Sequence, residues 1–349
     1  MVIGARALLL VWLGMLQTGW TVAHAAPVVE RVRFASLQPG EAALQLDAVW
    51  MRPAGSEGRA LSAVIALHGC GGLYTAARSP SDRLTARHQR MAEILVDEGY
   101  AVLFPDSFRR RGIEEICTQP SRTRTITQKE RTLDALGALQ YLQARSDVQS
   151  DRIALLGWSH GGSTVLAAMN AANATVRDFR DVRSALAYVR TAIAFYPGCG
   201  DASRAADGYR PAAPLLLLVG GADDWTPSRP CIDLVDRLRR NAEPASIVVY
   251  PDTFHGFDGP GNAARRRVDV PNGVRPGQGV TVAANPQARA DAYERVRGVL
   301  RAALAPAAAR DRGRPLAPVG GTNPAALVMQ ATDGIDPLRA AAPARDSAP

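Results

Sequence analysis

Short apolar runs alternate with amphipathic segments along most of the chain. The runs are continuously apolar, as expected for strands that are buried on both faces of a sheet, and the longer segments carry leucines at helical spacing. Strands are predicted at 28–36, 43–51, 62–67, 101–104, 153–156, 192–196, 214–219 and 246–250. Helices are predicted at 84–98, 125–145, 163–170, 232–240 and 289–304. This alternation predicts an α/β domain that starts with two antiparallel strands and continues as a mostly parallel central sheet with helices on both faces.

The predicted domain covers residues 28–304, and no break in composition divides it. Residues 259–285 are rich in Gly, Pro and Arg, which is typical of a long surface loop. Residues 306–349 are rich in Ala, Pro and Arg with little large apolar content, so this tail is predicted to be disordered.

The first 25 residues have the pattern of an export signal. Arg6 supplies the positive charge, residues 7–20 are largely apolar, and Ala-His-Ala at 23–25 places small residues at the cleavage positions. The apolar run is shorter than the ~20 residues that cross a bilayer, which argues against an uncleaved anchor. We therefore expect cleavage after Ala25 and a periplasmic or secreted protein with no stable membrane insertion.

Composition and charge indicate which kinds of molecule the protein is expected to bind. Of 349 residues, 47% are hydrophobic, which is enough for a sizeable core, and the formal net charge is +8. The arginines are scattered apart from triplets at 109–111 and 265–267, which are more typical of solvated loops than of a nucleic-acid groove. Because the chain also lacks zinc-knuckle spacing and interleaved aromatic and basic residues, we expect no nucleic-acid partner. The oligomeric state cannot be read from the sequence.

The stretch LLGWSHGGS places Ser159 between glycines, where a predicted strand ends and a helix follows. A G-x-S-x-G pattern occurs by chance, and its meaning here comes from that strand-to-helix context. Such a tight turn holds the serine in a rare backbone conformation, and side chains at the flanking positions would collide. The turn also places the hydroxyl at the positive end of the helix dipole, which favours a developing anion. Ser159 is the predicted nucleophile, the alternative being a glycine-rich turn without chemistry.

A serine hydroxyl needs a base to take its proton, and on this kind of fold the chain order is nucleophile, acid, histidine. His255 is the only histidine after the helix that follows Ser159, so it is the predicted base. The acid is predicted in the loop after strand 214–219, at Asp223 or Asp224, which spacing alone does not separate. We expect the aspartate that is not the acid to have an ordinary structural role, such as capping the following turn.

Acyl transfer also needs two backbone N–H donors for the oxyanion. One is predicted at His160, directly after the nucleophile, and the other in the loop His68-Gly-Cys-Gly-Gly, where we expect the N–H of Cys70. The alternative for that loop is a tight glycine turn with no catalytic role. His68 is expected to anchor the loop through a side-chain hydrogen bond, and the His160 side chain has no assigned role.

Together these motifs resemble the dienelactone hydrolase family of α/β-hydrolases. The matching stretches lie in order between residues 60 and 260: ALHGCGGL, FPDSF followed by an Arg-Gly pair, GWSHGG, LLLVGGADDWTP and YPDTFHGFDGPG. The family's acid lies in a Gly-x-x-Asp-x-x-x-Pro stretch, so the resemblance assigns the acid to Asp223 and the base to His255. The enzymes that gave the family its name use a cysteine nucleophile, whereas Ser159 resembles the wider esterase branch. Dienelactone itself is therefore not the expected substrate.

Four cysteines are present, which leaves three possible pairings. On the implied fold, Cys70 and Cys117 follow neighbouring strands at the carboxyl ends of the sheet, and Cys199 and Cys231 lie on either side of the acid strand. We therefore expect disulfides Cys70–Cys117 and Cys199–Cys231, with four free thiols as the alternative.

The sequence predicts a serine hydrolase that cleaves a small carboxylic ester or lactone through an acyl-enzyme, and this chemistry needs no metal or organic cofactor. A serine peptidase and a thioesterase or acyltransferase on the same fold are alternatives. A third alternative is a catalytically silent envelope protein, against which the intact set of Ser159, Asp223 and His255 argues.

Overall fold

The structure is a computed structural model that describes residues 26–40, 43–75, 82–178, 185–205, 208–261 and 263–305. The predicted signal peptide (1–25) and the predicted disordered tail (306–349) lie outside these residues.

Eight strands of the described chain form one sheet, and six of them run parallel. The strands are β1 (Val28–Ala35), β2 (Gln45–Arg52), β3 (Leu61–Leu67), β4 (Ala101–Pro105), β5 (Val148–Trp158), β6 (Val189–Phe195), β7 (Leu215–Gly220) and β8 (Ala245–Tyr250). Their order across the sheet is β1-β2-β4-β3-β5-β6-β7-β8. Strands β3 to β8 are parallel to their neighbours, and β2 pairs antiparallel with both β1 and β4. The predicted mostly parallel sheet with an antiparallel start is confirmed.

Helices cover both faces of the sheet. They are α1 (Ala86–Asp97), α2 (Gln128–Gln143), α3 (His160–Ala168), α4 (Ala174–Arg177), α5 (Gly200–Ser203), α6 (Arg229–Arg240) and α7 (Pro286–Leu304). Apolar side chains of α2, α3 and α6 pack on one face of the sheet, and those of α1 and α7 pack on the other. The inner strands are buried between two layers of helices, so their apolar runs have no polar alternation, whereas the edge strand β1 alternates exposed and part-buried positions.

Capping explains where the predicted helix boundaries differ from the structure. Helix α2 begins at Gln128 rather than at residue 125, because Thr127 and Glu130 form a capping box that satisfies the free N–H groups of the first turn. Helix α3 begins at His160 rather than at residue 163, directly after the backbone changes direction at Ser159. The short helices α4 and α5 are too short to show helical periodicity in the sequence.

The segment 259–285, predicted as a loop without secondary structure, contains a small hairpin. Strands β9 (Arg265–Arg267) and β10 (Val280–Val282) pair antiparallel. Val270 and Val280 are buried in a cluster that includes Cys70 and Cys117. The segment therefore packs onto the loops at the carboxyl edge of the sheet. The strands are only three residues long. Of the two buried valines, only Val280 lies in a strand, and Val270 lies ten positions earlier, so no alternating pattern indicates the hairpin.

Two disulfides join the loops at this edge. Cys70 is bonded to Cys117 and Cys199 to Cys231, and all four residues are buried. The first links the loop after β3 to the loop after β4, and the second links the start of α5 to α6. Such bridges are typical of proteins outside the reducing cytoplasm. In the part of the chain that the structure describes, no helix is long and apolar enough to cross a membrane.

Loss of either disulfide is expected to lower the free energy of unfolding by about 4 kcal/mol in the chain-entropy description, because the bridges close loops of 47 and 32 residues. The check is the melting temperature of the protein with and without a thiol reductant, together with that of the double variants C70A/C117A and C199A/C231A. A melting temperature that reductant leaves unchanged, with four thiols that alkylate without prior reduction, would contradict both bridges.

Candidate active site

Ser159 lies on a sharp turn between β5 and α3. Its backbone has φ 52° and ψ −117°, a conformation that L-residues rarely adopt. A Cβ atom on Gly157 would collide with the carbonyl oxygen of Gly161, and one on Gly161 would collide with the carbonyl oxygen of Leu67. Both flanking glycines are therefore sterically required, as the sequence pattern predicts. The turn lifts the serine hydroxyl above the carboxyl edge of the sheet.

His255 and Asp223 lie beside this hydroxyl, although they are far from Ser159 in the sequence. His255 Nε2 is 2.9 Å from Ser159 Oγ, and His255 Nδ1 is 2.8 Å from Asp223 Oδ2. His255 and Asp223 are 4% and 5% exposed. In the tautomer that this geometry supports, Nδ1–H donates to the carboxylate and Nε2 accepts from the hydroxyl. The structure thus brings the three residues into one hydrogen-bonded chain.

The two neighbouring aspartates have different environments. Asp223 points to His255, and its other oxygen accepts the backbone N–H groups of Trp225 and Thr226 at 2.8 and 2.9 Å. Asp224 instead accepts the backbone N–H of Thr281 at 2.7 Å, so it holds strand β10. Asp224 thus has an ordinary structural role, although it holds β10 rather than the turn, whose backbone N–H groups Asp223 caps.

Three side chains to which the sequence assigned no role surround His255. The rings of Tyr196 and Trp225 each lie 4.6 Å, centroid to centroid, from the imidazole. Thr226 Oγ1 is 3.0 Å from Asp223 Oδ2 and 3.1 Å from His255 Nδ1. These contacts leave the ring little freedom to rotate. Only their positions in the sequence could have indicated these residues, because Tyr196 directly follows β6 and the other two residues follow Asp223.

A buried carboxylate connects the residues next to Ser159 and His255. Asp258 accepts hydrogen bonds from Tyr196 Oη at 2.6 Å and from Trp158 Nε1 at 2.8 Å, and it forms an ion pair with Arg87 at 2.8 Å. Trp158 precedes Ser159 in the chain, and Tyr196 packs on His255. Asp258 therefore fixes the end of β5 relative to the loop that carries the histidine.

The glycine-rich loop after β3 lies against Ser159. A Cβ atom on Gly69 would be 3.6 Å from the Cβ of Ser159, so the backbone of this loop approaches the serine closely. Cys70 and His160 both line the cavity in front of the serine. Within the described residues, neither of their backbone N–H groups donates a hydrogen bond to the protein. Both groups are thus free to donate to a bound molecule.

His68 anchors this loop and is fully buried. Its Nδ1 donates to the carbonyl oxygen of Gly69 at 2.8 Å, and its Nε2 accepts the backbone N–H of Ser107 at 3.3 Å. Burial, reinforced by the charge of Arg131, holds the pKa of His68 well below its usual value. The imidazole therefore stays neutral and structural, in keeping with the role expected of it.

Acid is expected to destabilise the fold before the carboxylates titrate, because His68 and His88 are buried in neutral form. Burial lowers the pKa of His88 to about 3. The unfolded chain binds protons at these histidines below about pH 6.5, and the folded chain does not. Stability is thus complete above that pH and falls below it, approaching about 1.4 kcal/mol per histidine per pH unit. The check is the free energy of unfolding at intervals from pH 7.5 to pH 5, with H88N expected to reduce the slope by one proton and a flat profile contradicting the argument.

The cavity in front of Ser159 has a volume of about 740 Å³. Its walls come from helices α2 and α3 and from the loops at the carboxyl edge of the sheet, including Trp225, Thr226 and Asn272. Asn272 belongs to the segment that carries the hairpin, and its side chain donates to the carbonyl oxygen of Gln119 at 2.9 Å. The cavity is within the usual range for small-molecule sites.

A mostly parallel eight-stranded sheet of this order, with a strained serine turn after β5 and a histidine after β8, defines an α/β-hydrolase fold. Within that class the chain belongs to the dienelactone hydrolase family, whose model matches residues 46–304.

The chain is similar to proteins named as hydrolases, and solved structures among them share its fold. Over 124 residues the chain is 33% identical to YtaP of Bacillus subtilis (strain 168), a protein named as a hydrolase from its sequence, in a match that covers 33% of this chain and 40% of that protein. The chain thus matches less than half of the length of that relative. The crystal structure of the dienelactone hydrolase-like promiscuous phosphotriesterase P91, from metagenomic libraries, superposes with a TM-score of 0.56 and 16% identity over 80% of this chain and 99% of that one. Thermogutta terrifontis esterase 2, phosphoramylated by tabun, has a TM-score of 0.53 and 15% identity over 79% and 96% of the two chains.

Proposed function

We propose that the protein is a serine-dependent hydrolase that cleaves a carboxylic ester or lactone through an acyl-enzyme. The observation that carries this proposal is the hydrogen-bonded chain from Ser159 through His255 to Asp223. Membership of a hydrolase family supports it, as does a cavity that opens directly onto the serine.

In the proposed acylation step, Ser159 Oγ attacks the ester carbonyl while His255 Nε2 takes its proton. Asp223 holds the imidazole and stabilises its protonated form. The oxyanion that develops accepts hydrogen bonds from the N–H groups of Cys70 and His160, which have no protein acceptor in the described chain. His255 then gives the proton to the leaving alkoxide, and the alcohol departs.

In the deacylation step a water molecule enters from the cavity, and His255 accepts one of its protons as the oxygen attacks the acyl carbonyl. Collapse of the second tetrahedral intermediate returns the proton to Ser159 and releases the acid. The same two N–H groups receive the oxyanion in both steps. No step uses a metal or an organic cofactor.

We also propose that the protein works outside the cytoplasm, in the periplasm or after secretion. The two disulfides and the export-signal pattern of residues 1–25 support this location. A small ester or lactone is then its partner, and an intracellular aromatic-degradation role is not expected.

The test is turnover of p-nitrophenyl acetate and butyrate by the purified protein, together with labelling by a fluorophosphonate and mapping of the labelled residue. Ester turnover with the label on Ser159 supports the proposal. Turnover of peptide substrates alone would favour a serine peptidase, and preference for acyl thioesters or for an alcohol acceptor over water would favour a thioesterase or acyltransferase. Neither turnover nor labelling would indicate a catalytically silent protein and would overturn the proposal.

A further inference from the structure

A buried cation lies behind the proposed oxyanion donors. Arg131, on α2, is 1% exposed, yet within the described residues no carboxylate comes within 4 Å of its guanidinium. The carboxylate of Asp134, one of the nearest acids, is paired with Arg111 at 2.8 Å. Buried charges in proteins are usually paired, since removing an ion from water is costly. An arginine kept here without a directly paired carboxylate therefore calls for another explanation.

The contacts of Arg131 point to the neighbouring oxyanion donors. Its Nη1 atom donates to the carbonyl oxygen of His68 at 2.7 Å and lies 3.2 Å from His160 Nδ1. His68 is two residues before Cys70, and His160 directly follows Ser159. One guanidinium nitrogen thus links the two separate backbone segments whose N–H groups face the cavity.

The protonation states agree with this arrangement. Burial lowers the pKa of Arg131 to about 10, so the guanidinium is still cationic at neutral pH. Burial, together with the charges of Arg131 and Arg124, holds the pKa of His160 well below its usual value. His160 is therefore neutral and free to accept at Nδ1. Its contact with Arg131 explains the side chain to which the sequence assigned no role.

We propose that Arg131 is the positioning residue of the oxyanion hole. It holds the His68 carbonyl and the His160 imidazole so that the N–H groups of Cys70 and His160 converge on one point. Its charge lies behind that point in a region closed to water, where it favours a tetrahedral oxyanion over a neutral ester. The inference rests on the proposed hydrolase function and adds to it a residue that does not touch the substrate.

The expected kinetic effect of removing Arg131 depends on the step at which the substrate becomes negatively charged. A neutral ester gains little from the cation, whereas the oxyanion gains much, so removing the cation should change kcat and leave KM nearly constant. A side chain that only supported the loop would, on removal, disturb substrate binding and stability together. The affinity for a transition-state analogue supplies a second readout, because a trifluoromethyl ketone forms an oxyanion with the serine and a ground-state ligand does not.

The experiment compares wild type, R131M, R131K and the control R145M in kcat, KM and Ki for an aryl trifluoromethyl ketone. Methionine removes the charge at similar volume, and lysine keeps the charge but cannot reproduce the planar fork. Arg145 follows the same helix and pairs with Asp147, away from the cavity. We expect R131M to lose about 10- to 100-fold in kcat and a similar factor in inhibitor affinity, with KM changed less than about threefold. We expect R131K to fall between R131M and wild type, and R145M to match wild type in all three constants.

Three results separate the possible failures. A wild-type protein without esterase activity or serine labelling would overturn the proposed function itself. An active wild type with R131M equal to it in kcat and Ki, or changed in KM alone, would overturn only the inference about Arg131. If circular dichroism shows that R131M does not fold, R131K becomes the deciding variant. The inference then requires the kcat and the inhibitor affinity of R131K to fall by the same factor at constant KM. Any other pattern in R131K rejects the inference.

Discussion

Replacing Ser159 with alanine is expected to lower kcat for p-nitrophenyl butyrate by about 10⁵-fold or more, because no other group can form the acyl-enzyme. The side chain of Ser159 hydrogen-bonds to His255, and its removal leaves the glycines of the turn in place. The fold should therefore survive. Circular dichroism and the melting temperature provide the check that the loss of rate is chemical.

A matched control for this variant is S246A. Ser246 lies at the start of β8, at the opposite edge of the sheet, where its hydroxyl donates to the carbonyl oxygen of Leu215. The kcat of S246A for p-nitrophenyl butyrate should stay near that of wild type. Full activity in S159A, or a fluorophosphonate adduct on another residue of S159A, would remove the basis of the proposed mechanism.

Exchange of Asp223 for asparagine is expected to lower kcat by about 10⁴-fold, whereas D224N should lose less than about tenfold. Asparagine keeps an acceptor oxygen for the backbone N–H groups of Trp225 and Thr226, so the turn should remain capped. It has no charge to stabilise a protonated imidazole, and its amide favours the wrong tautomer of His255.

D224N is an unusually close control, because the two positions are adjacent and the exchange removes the same charge. Asp224 holds Thr281 and contacts Arg266 at 3.3 Å, so its exchange should act on the cavity wall and appear mainly in KM. The measurement is kcat and KM for both variants on one ester. A larger loss of kcat in D224N than in D223N would show that the acid has been assigned to the wrong residue.

The inner strands of the sheet were predictable because burial between two layers of helices makes each of them a continuous apolar run, and the longer helices were predictable from their periodicity. Helix ends were less so, since they depend on local hydrogen bonds such as the capping box at Thr127. The hairpin of β9 and β10 depends on distant contacts of Val270 and Val280, which no local pattern encodes. Short elements held by tertiary packing are where local periodicity carries least information.

The positions of Ser159, His255 and Asp223 were predictable for a different reason. The turn after β5 constrains the residues beside Ser159, chain order selects His255, and the family resemblance selects Asp223. The surrounding residues were not. Arg131 is one polar residue in an amphipathic helix, and only the fold shows that it is buried beside His68. Tyr196 likewise follows an ordinary apolar strand, and its contact with His255 spans 59 positions of the chain. Contacts between residues on separate loops depend on how the fold brings those loops together, which the local sequence does not show.

The adjacent aspartates after β7 have a consequence for altering selectivity. One peptide unit joins the side chain that contacts His255 to the side chain that holds the hairpin. A transplanted or shortened hairpin would therefore pull on the proposed general-base assembly unless it retained a donor for Asp224. Libraries that randomise the hairpin but keep the hydrogen bond from Thr281 to Asp224 should yield more functional clones than libraries that randomise the hairpin together with this bond.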